Sequence, residues 1–185
     1  MRHFGRWTVA ACLVAAACGS TEEEVVYRAQ PGAPEMTLNR DQIAGVVHTN
    51  NNFEVEASKL ALERSRNQRV RDFAQRMITE HQHHDQRLME LHHNPENSPY
   101  SGELQRTGQR TIQSLRSYSN TSFDRAYIDN QITMHTWLLA NLDSAFIPAS
   151  SGSMRRGLES TRTMVAEHLE LARGIRNSLG SGNKR

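Results

Sequence analysis

Val70-Arg71-Asp72-Phe73-Ala74-Gln75-Arg76-Met77-Ile78-Thr79-Glu80-His81-Gln82-His83-His84-Asp85-Gln86-Arg87-Leu88-Met89-Glu90-Leu91 carries the pattern that decides the fold. Val70, Phe73 or Ala74, Met77, His81, His84, Leu88 and Leu91 recur at steps of three and four, the spacing of one face of an α-helix turned to a core. Asn67 stands where an N-cap belongs, so the helix is expected to run from there to about His92. Outward from it the chain repeats the design. Asn39 with Gln42 three places on forms a capping box and opens a helix that reaches about Arg66. A short helix is expected from Ser101 to about Tyr118, a long one from near Ser122 to Ile147 just before Pro148, and a last one from Ser153 to Leu179, where Gly180 would end it. Strand signals are nearly absent, and Gly and Pro fall between the periodic stretches. The expected fold is therefore all-α. Short joins make the first and second, and the third and fourth, long helices antiparallel hairpins. The long link between them returns the chain along the bundle. That is a ferritin-like four-helix bundle with a short extra helix in the long crossover between the second and third long helices, and a plain up-and-down bundle is its competitor.

The core-facing stripes are interrupted by polar residues at one level. The third long helix gives Ile128, Gln131 or Ile132, His135, Leu138 or Leu139 and Leu142, and the fourth gives Met154, Leu158, Thr161, Val165, His168, Ala172 and Ile175. The first gives Ile43, Val47, Asn51, Glu54, Ser58 and Ala61, with a neighbouring stripe that brings in His48 and Val55. Glu54, His81, His135 and His168 all stand within a residue or two of the midpoints of their helices. In a bundle of similar rods the midpoints meet, and unpartnered polar groups there cost roughly 1–3 kcal/mol each. A metal ion, or a closed hydrogen-bond network with water, would satisfy them. One histidine on an apolar face is more often a hydrogen-bonded core residue than a ligand, but three on separate helices at one depth point to a metal. The expected ligands are Glu54, His81, His135 and His168, with His84 as an additional one and His48, Asn51, Glu80 and Glu167 behind them. So nitrogen-rich a set suits zinc, copper or a single iron better than a di-iron centre. The interval from His48 to His81 equals that from His135 to His168, as a duplicated hairpin would produce. Glu80 and His83 have the Glu-x-x-His spacing of di-iron bundles, but His83, His92 and His93 fall off the core stripe.

The start of the chain speaks of location. Arg2 and Arg6, then an apolar run through Ala17 too short to span a bilayer, describe a secretory signal peptide. Ala15-Ala16-Ala17-Cys18-Gly19 resembles a lipobox, which would make Cys18 the acylated first residue of the mature protein; an ordinary soluble export signal is the alternative. Cys12 and Cys18 are the only cysteines, so the mature domain can hold no internal disulfide and no thiolate metal site. The formal charge of +2 equals Arg2 plus Arg6, and the near-neutral remainder excludes nucleic acid as an expected partner. The expected organisation is residues 1–17 signal peptide, 18–37 lipidated cysteine and flexible tether, 38–180 helical bundle and 181–185 disordered tail. Its partner is a membrane, reached through the lipid, and its place the periplasm, on the outer membrane before the inner.

Asp41-Gln42-Ile43-Ala44, Glu54-Val55-Glu56-Ala57-Ser58-Lys59-Leu60-Ala61, Phe73-Ala74-Gln75-Arg76-Met77 followed by Glu80-His81, Phe123-Asp124-Arg125-Ala126-Tyr127-Ile128 with His135, and His168-Leu169-Glu170-Leu171-Ala172 together resemble a bacterial exported family of unknown function. Its members are often labelled predicted outer-membrane proteins and are placed among the ferritin-like bundles. The resemblance covers Leu38 to Leu179 and implies that fold and a periplasmic setting, but no established activity. The family's recurring polar positions map onto Glu54, His81, His135 and His168. This chain departs from it in Phe53, where a small residue is common and where bulk is expected to narrow the bundle, and in the added His83 and His84.

The functional expectation is a lipid-anchored bundle that binds a transition metal at half height, in envelope stress or metal handling, rather than an enzyme. No nucleophile with a base and no phosphate-binding glycine loop is present. A metal-free structural or interaction lipoprotein is the alternative from another class. A ferroxidase-like oxidase is a third, and it needs more carboxylates at the centre than the stripes supply.

Overall fold

The computed structural model describes residues 38–91 and 95–181. The signal peptide, Cys18, the tether, His92, His93 and residues 182–185 lie outside the described residues. Helix α1 is Arg40–Arg64, α2 Gln68–Leu91, α3 Pro99–Ser117, α4 Asn120–Asn141 and α5 Gly152–Ser181. Among the described residues there is no strand, and no helix is long and apolar enough to cross a membrane.

Local chemistry sets the ends. The Asn39 side chain accepts from Gln42 N–H at 2.8 Å while the Gln42 side chain takes the Asn39 N–H at 3.1 Å, the expected capping box. Asn67 Oδ1 accepts from the N–H groups of Arg69 and Val70 and starts α2. The crossover helix has 19 residues, close to the expected span, and begins at Pro99, because Ser98 caps it and proline suits the first helical position. Two expectations need correction. The third long helix does not run uniformly to Ile147. It changes at Leu142–Phe146 into a π-helical segment, where Pro148 offers no N–H to the carbonyl of Ser144. Gly180 does not end the last helix, and Ser181 belongs to α5 instead of a tail; Arg125 donates to the Leu179 carbonyl at 3.0 Å and so holds this last turn.

Pairs of touching residues give the directions. His48 meets Asp85 and Asn51 meets His81, so α1 and α2 are antiparallel. Asp143 meets Arg162 and His135 meets His168, so α4 and α5 are antiparallel. Glu54 with Gln131 and Ser58 with Tyr127 set α1 against α4 in opposite directions, and Arg76 with Glu167 joins α2 to α5. It follows that α2 and α4 point the same way, and α3 returns the chain between them. α3 lies along α1 in parallel: Gly45 sits against Glu96, Phe53 against Gly108, and Arg64 donates to the Tyr118 carbonyl.

The core consists of two apolar clusters. One gathers Ile43, Val47, Leu88, Leu138, Leu142 and Leu158, and the other Leu60, Val70, Phe73, Met77, Phe123 and Ile128. Between them in sequence along every long helix stand buried Asn51, Glu54, His81, Gln131, His135 and His168. Phe53 does not narrow this layer, contrary to expectation. Its ring packs on Gly108 of α3, where an added Cβ would stand 2.8 Å from Phe53 Cδ2.

Candidate metal centre

His81 from α2, His135 from α4 and His168 from α5 come together with their side chains buried, one ring nitrogen from each lying within 4.8 Å of the others. Their ring centroids are 5.7, 5.4 and 5.3 Å apart. Which nitrogen each presents follows from what the other one touches. His135 Nδ1 lies 2.8 Å from the Gln131 carbonyl one turn earlier. A carbonyl only accepts, so Nδ1 carries the proton and Nε2 is a lone pair. His168 Nε2 lies 2.7 Å from Glu80 Oε2. Burial pushes the Glu80 carboxyl up, but the bonds from His168 and Arg76 outweigh it and hold it below the usual range. Glu80 is therefore an anionic acceptor, Nε2 donates, and His168 Nδ1 is the lone pair.

His81 is set by a longer chain. Its Nδ1 lies 2.9 Å from Asn51 Oδ1, and the Asn51 amide nitrogen donates to Asp85 Oδ1 at 3.3 Å. Asp85 thereby fixes which end of the Asn51 amide faces the ring, and the oxygen it leaves toward His81 requires a proton on Nδ1. His81 Nε2 is left buried with no partner among the described residues.

The bare nitrogens of His135 and His168 face each other at 3.4 Å. With both protons committed outward, no hydrogen bond can form across that gap, and two lone pairs in a buried layer repel. The separation has another meaning. Nitrogens bound tetrahedrally to zinc at 2.0–2.1 Å stand about 3.3 Å apart. The rings are also in the right charge state. Burial first, then the neighbouring imidazoles, holds His81 well below its ordinary pKa, and burial and His168 bring His135 to about 3. Burial lowers His168 as well, against the opposing pull of Glu80. All three are neutral at pH 7, the form that binds metal.

The structure does not bring every expected residue into this group. Glu54 is fully buried, but its Oε2 accepts from Gln131 at 2.7 Å and its Oε1 stands 3.9 Å from His135 Nδ1, the nitrogen turned away from the centre. Burial raises Glu54 to about 8, only partly offset by Gln131. With His135 also neutral, this contact is not an ion pair. His84 is half-buried outside the triad. Glu80 stands behind His168, while Glu167 is exposed and paired with Arg76 at 2.9 Å. His48 bonds both Asp85 oxygens, at 2.9 and 3.0 Å, and does not face His81. Asn51 holds the place opposite His81, so the equal histidine intervals do not mark equivalent positions in the two hairpins. Sequence reasoning missed Asp85 and the Gln131 carbonyl. Asp85, one turn beyond His81, was a usable signal; a backbone carbonyl one turn before a helical histidine occurs for every such histidine and signals nothing.

The fold and this cluster define an all-helical protein with a buried three-histidine centre. The chain belongs to the family described as a domain of unknown function, DUF4142, whose model matches residues 26–175. No curated protein and no solved structure matches it.

Proposed function

We propose that this protein binds one transition-metal ion at half height through His81 Nε2, His135 Nε2 and His168 Nδ1, with zinc or copper suited best by three neutral imidazoles. The observation that carries this reading is the 3.4 Å approach of two imidazole lone pairs whose N–H groups are both spent on outward acceptors. Asn51, the Gln131 carbonyl and Glu80 take the roles of orienting acceptors behind the three ligands. A single iron fits less well, since Glu54 and Glu80 both stand on the outer sides of the imidazoles and no carboxylate joins the group of three. The same placement speaks against a ferroxidase, which needs carboxylates facing its ions.

In this reading the bundle is ferritin-like, supported by two antiparallel hairpins whose α2 and α4 share a direction across the intervening α3. Its setting is the periplasmic face of a membrane, the outer one first, held by lipid on Cys18, which rests on the lipobox-like Ala15-Ala16-Ala17-Cys18. The role is metal handling in the cell envelope. Elemental analysis of tag-free protein should find about one zinc or copper per chain, and a His81→Ala, His168→Ala variant should lose it. Equal substoichiometric metal in both would leave a metal-free structural domain. Cys18→Ser should release the protein from the membrane fraction.

A further inference from the structure

The three histidines are buried, so an ion needs a way in. The α2–α5 seam supplies one. A cleft of about 480 Å³ opens there, with Glu80, His83, His84, Ser160 and Glu167 among its lining residues. Glu80 is at once part of this wall, one-third exposed, and the partner of buried His168. Glu80 thus joins the cleft wall to one of the three buried rings. A neighbouring cleft of about 290 Å³ lies on the other side of His84 and shares that residue and Ser160, so His84 stands where the two meet.

His84 has chemistry to spare. It makes no hydrogen bond among the described residues, lies one turn beyond His81 on α2, and is four residues from Glu80. That spacing puts an imidazole and a carboxylate on one helix face, where both can reach the same ion. Within the lining of this cleft Glu80 and Glu167 face one cation, Arg76, which bonds Glu80 at 2.7 Å and Glu167 at 2.9 Å, while Arg87 and Arg156 line the neighbouring cleft. The cleft is thus biased toward a cation. α2 also packs less extensively on α5 than on α1.

We propose that the α2–α5 cleft is the portal for the metal, with His84 and Glu80 forming a transient capture site that passes a divalent transition-metal ion inward to His81, His135 and His168. This rests on the reading that those three histidines hold a metal. His84 binds the incoming ion with a ring nitrogen; Glu80 contributes Oε1, exchanging its bond from Arg76 Nε for the ion, while its Oε2 keeps the His168 N–H in place. Transfer then exchanges the His84 bond for the buried nitrogens, with no proton lost from the three rings.

The test separates rate from affinity. Co(II) uptake by the whole metal-free protein is followed by stopped-flow absorbance, and equilibrium affinity by chelator competition, for wild type, His84→Ala and Ser160→Trp. Ser160 is exposed and outside the ligand set; its tryptophan obstructs the cleft without touching the centre. Both variants should take up Co(II) at least roughly tenfold more slowly, and release it more slowly by the same factor, with the dissociation constant unchanged. Uptake at the wild-type rate in either variant overturns the portal. A dissociation constant weakened by His84→Ala in step with its rate overturns the relay and makes His84 a permanent ligand. Absence of stoichiometric binding by wild type is a different result, and it removes the proposed function itself.

Discussion

Replacing Asn51 by alanine isolates the device that aims His81. In the wild-type fold the Asn51 oxygen receives the His81 Nδ1 proton at 2.9 Å, and its amide nitrogen is pinned by Asp85 at 3.3 Å. Alanine leaves a fully buried ring N–H without an acceptor, which costs the metal-free protein about 1–3 kcal/mol. In a domain of this size each kcal/mol lowers the melting temperature by roughly 2–4 °C. The second effect falls on the metal. His81 is then free to carry its proton on Nε2, the nitrogen that faces the centre, and to turn in its pocket. Loss of such an orienting partner weakens metal binding by about 10–100-fold, equivalent to about 1.4–2.7 kcal/mol. Competition against a chromophoric chelator measures the affinity. Long-range proton–nitrogen correlation spectra of the metal-free protein report the tautomer directly: Nδ1–H for wild type and a mixture for Asn51→Ala. Asp85→Asn should move both readouts in the same direction by less, because Asn51 stays but its amide orientation is no longer dictated by a carboxylate. An Asn51→Ala protein that keeps wild-type affinity with His81 still protonated on Nδ1 would refute the argument.

Four further outcomes are expected. Between pH 4.5 and about 8 the folded protein keeps the Glu54 proton that the unfolded chain has lost, so the contribution of Glu54 to stability falls as pH rises through that window, while His81, His135 and His168, held neutral by burial, act the other way and cost stability as pH falls below 6.5. Glu54→Gln, neutral throughout, should remove that contribution and be the more stable protein above pH 8 by on the order of 3–5 kcal/mol in metal-free urea melts. Gly45→Ala should destabilise by about 1–3 kcal/mol, because its Cβ would lie 2.1 Å from the Glu96 carbonyl oxygen, a backbone atom tied to α1 by the Glu96 N–H bond to the Asp41 carbonyl at 3.0 Å. Gly108→Ala should cost less, since the Phe53 ring it meets can shift; thermal melts of the two variants give the order. Zinc at a thousandfold excess over its dissociation constant should raise stability by about 4 kcal/mol, a gain a chelator removes and His81→Ala never shows.

The reach of the sequence can be seen helix by helix. Wherever apolar residues recur at helical steps between strong caps, the element lies close to where the pattern puts it, as Asn39 with Gln42 and Asn67 illustrate. The crossover helix begins two residues before its expected start, because Ser98 caps it and Pro99 takes the first helical position. The depth of the histidines was legible too, since a bundle of similar rods equates midpoints, and three of the four central residues do converge. What midpoint arithmetic cannot resolve is rotation about the helix axis. Glu54 reaches the right level but points its carboxyl at Gln131, behind His135 instead of in front of it. The difference is about one ring width, yet it decides the chemistry. A carboxylate facing the ion would carry charge into the layer, whereas here burial keeps Glu54 protonated and the imidazoles neutral. In the proposed site the carboxylate nearest a bound cation is then Glu80, one-third exposed and joined to the centre through the ring of His168. A buried site whose counter-charge sits on its solvent side can admit and release an ion without first stranding a bare carboxylate in the core, a state far costlier than three unpartnered imidazoles.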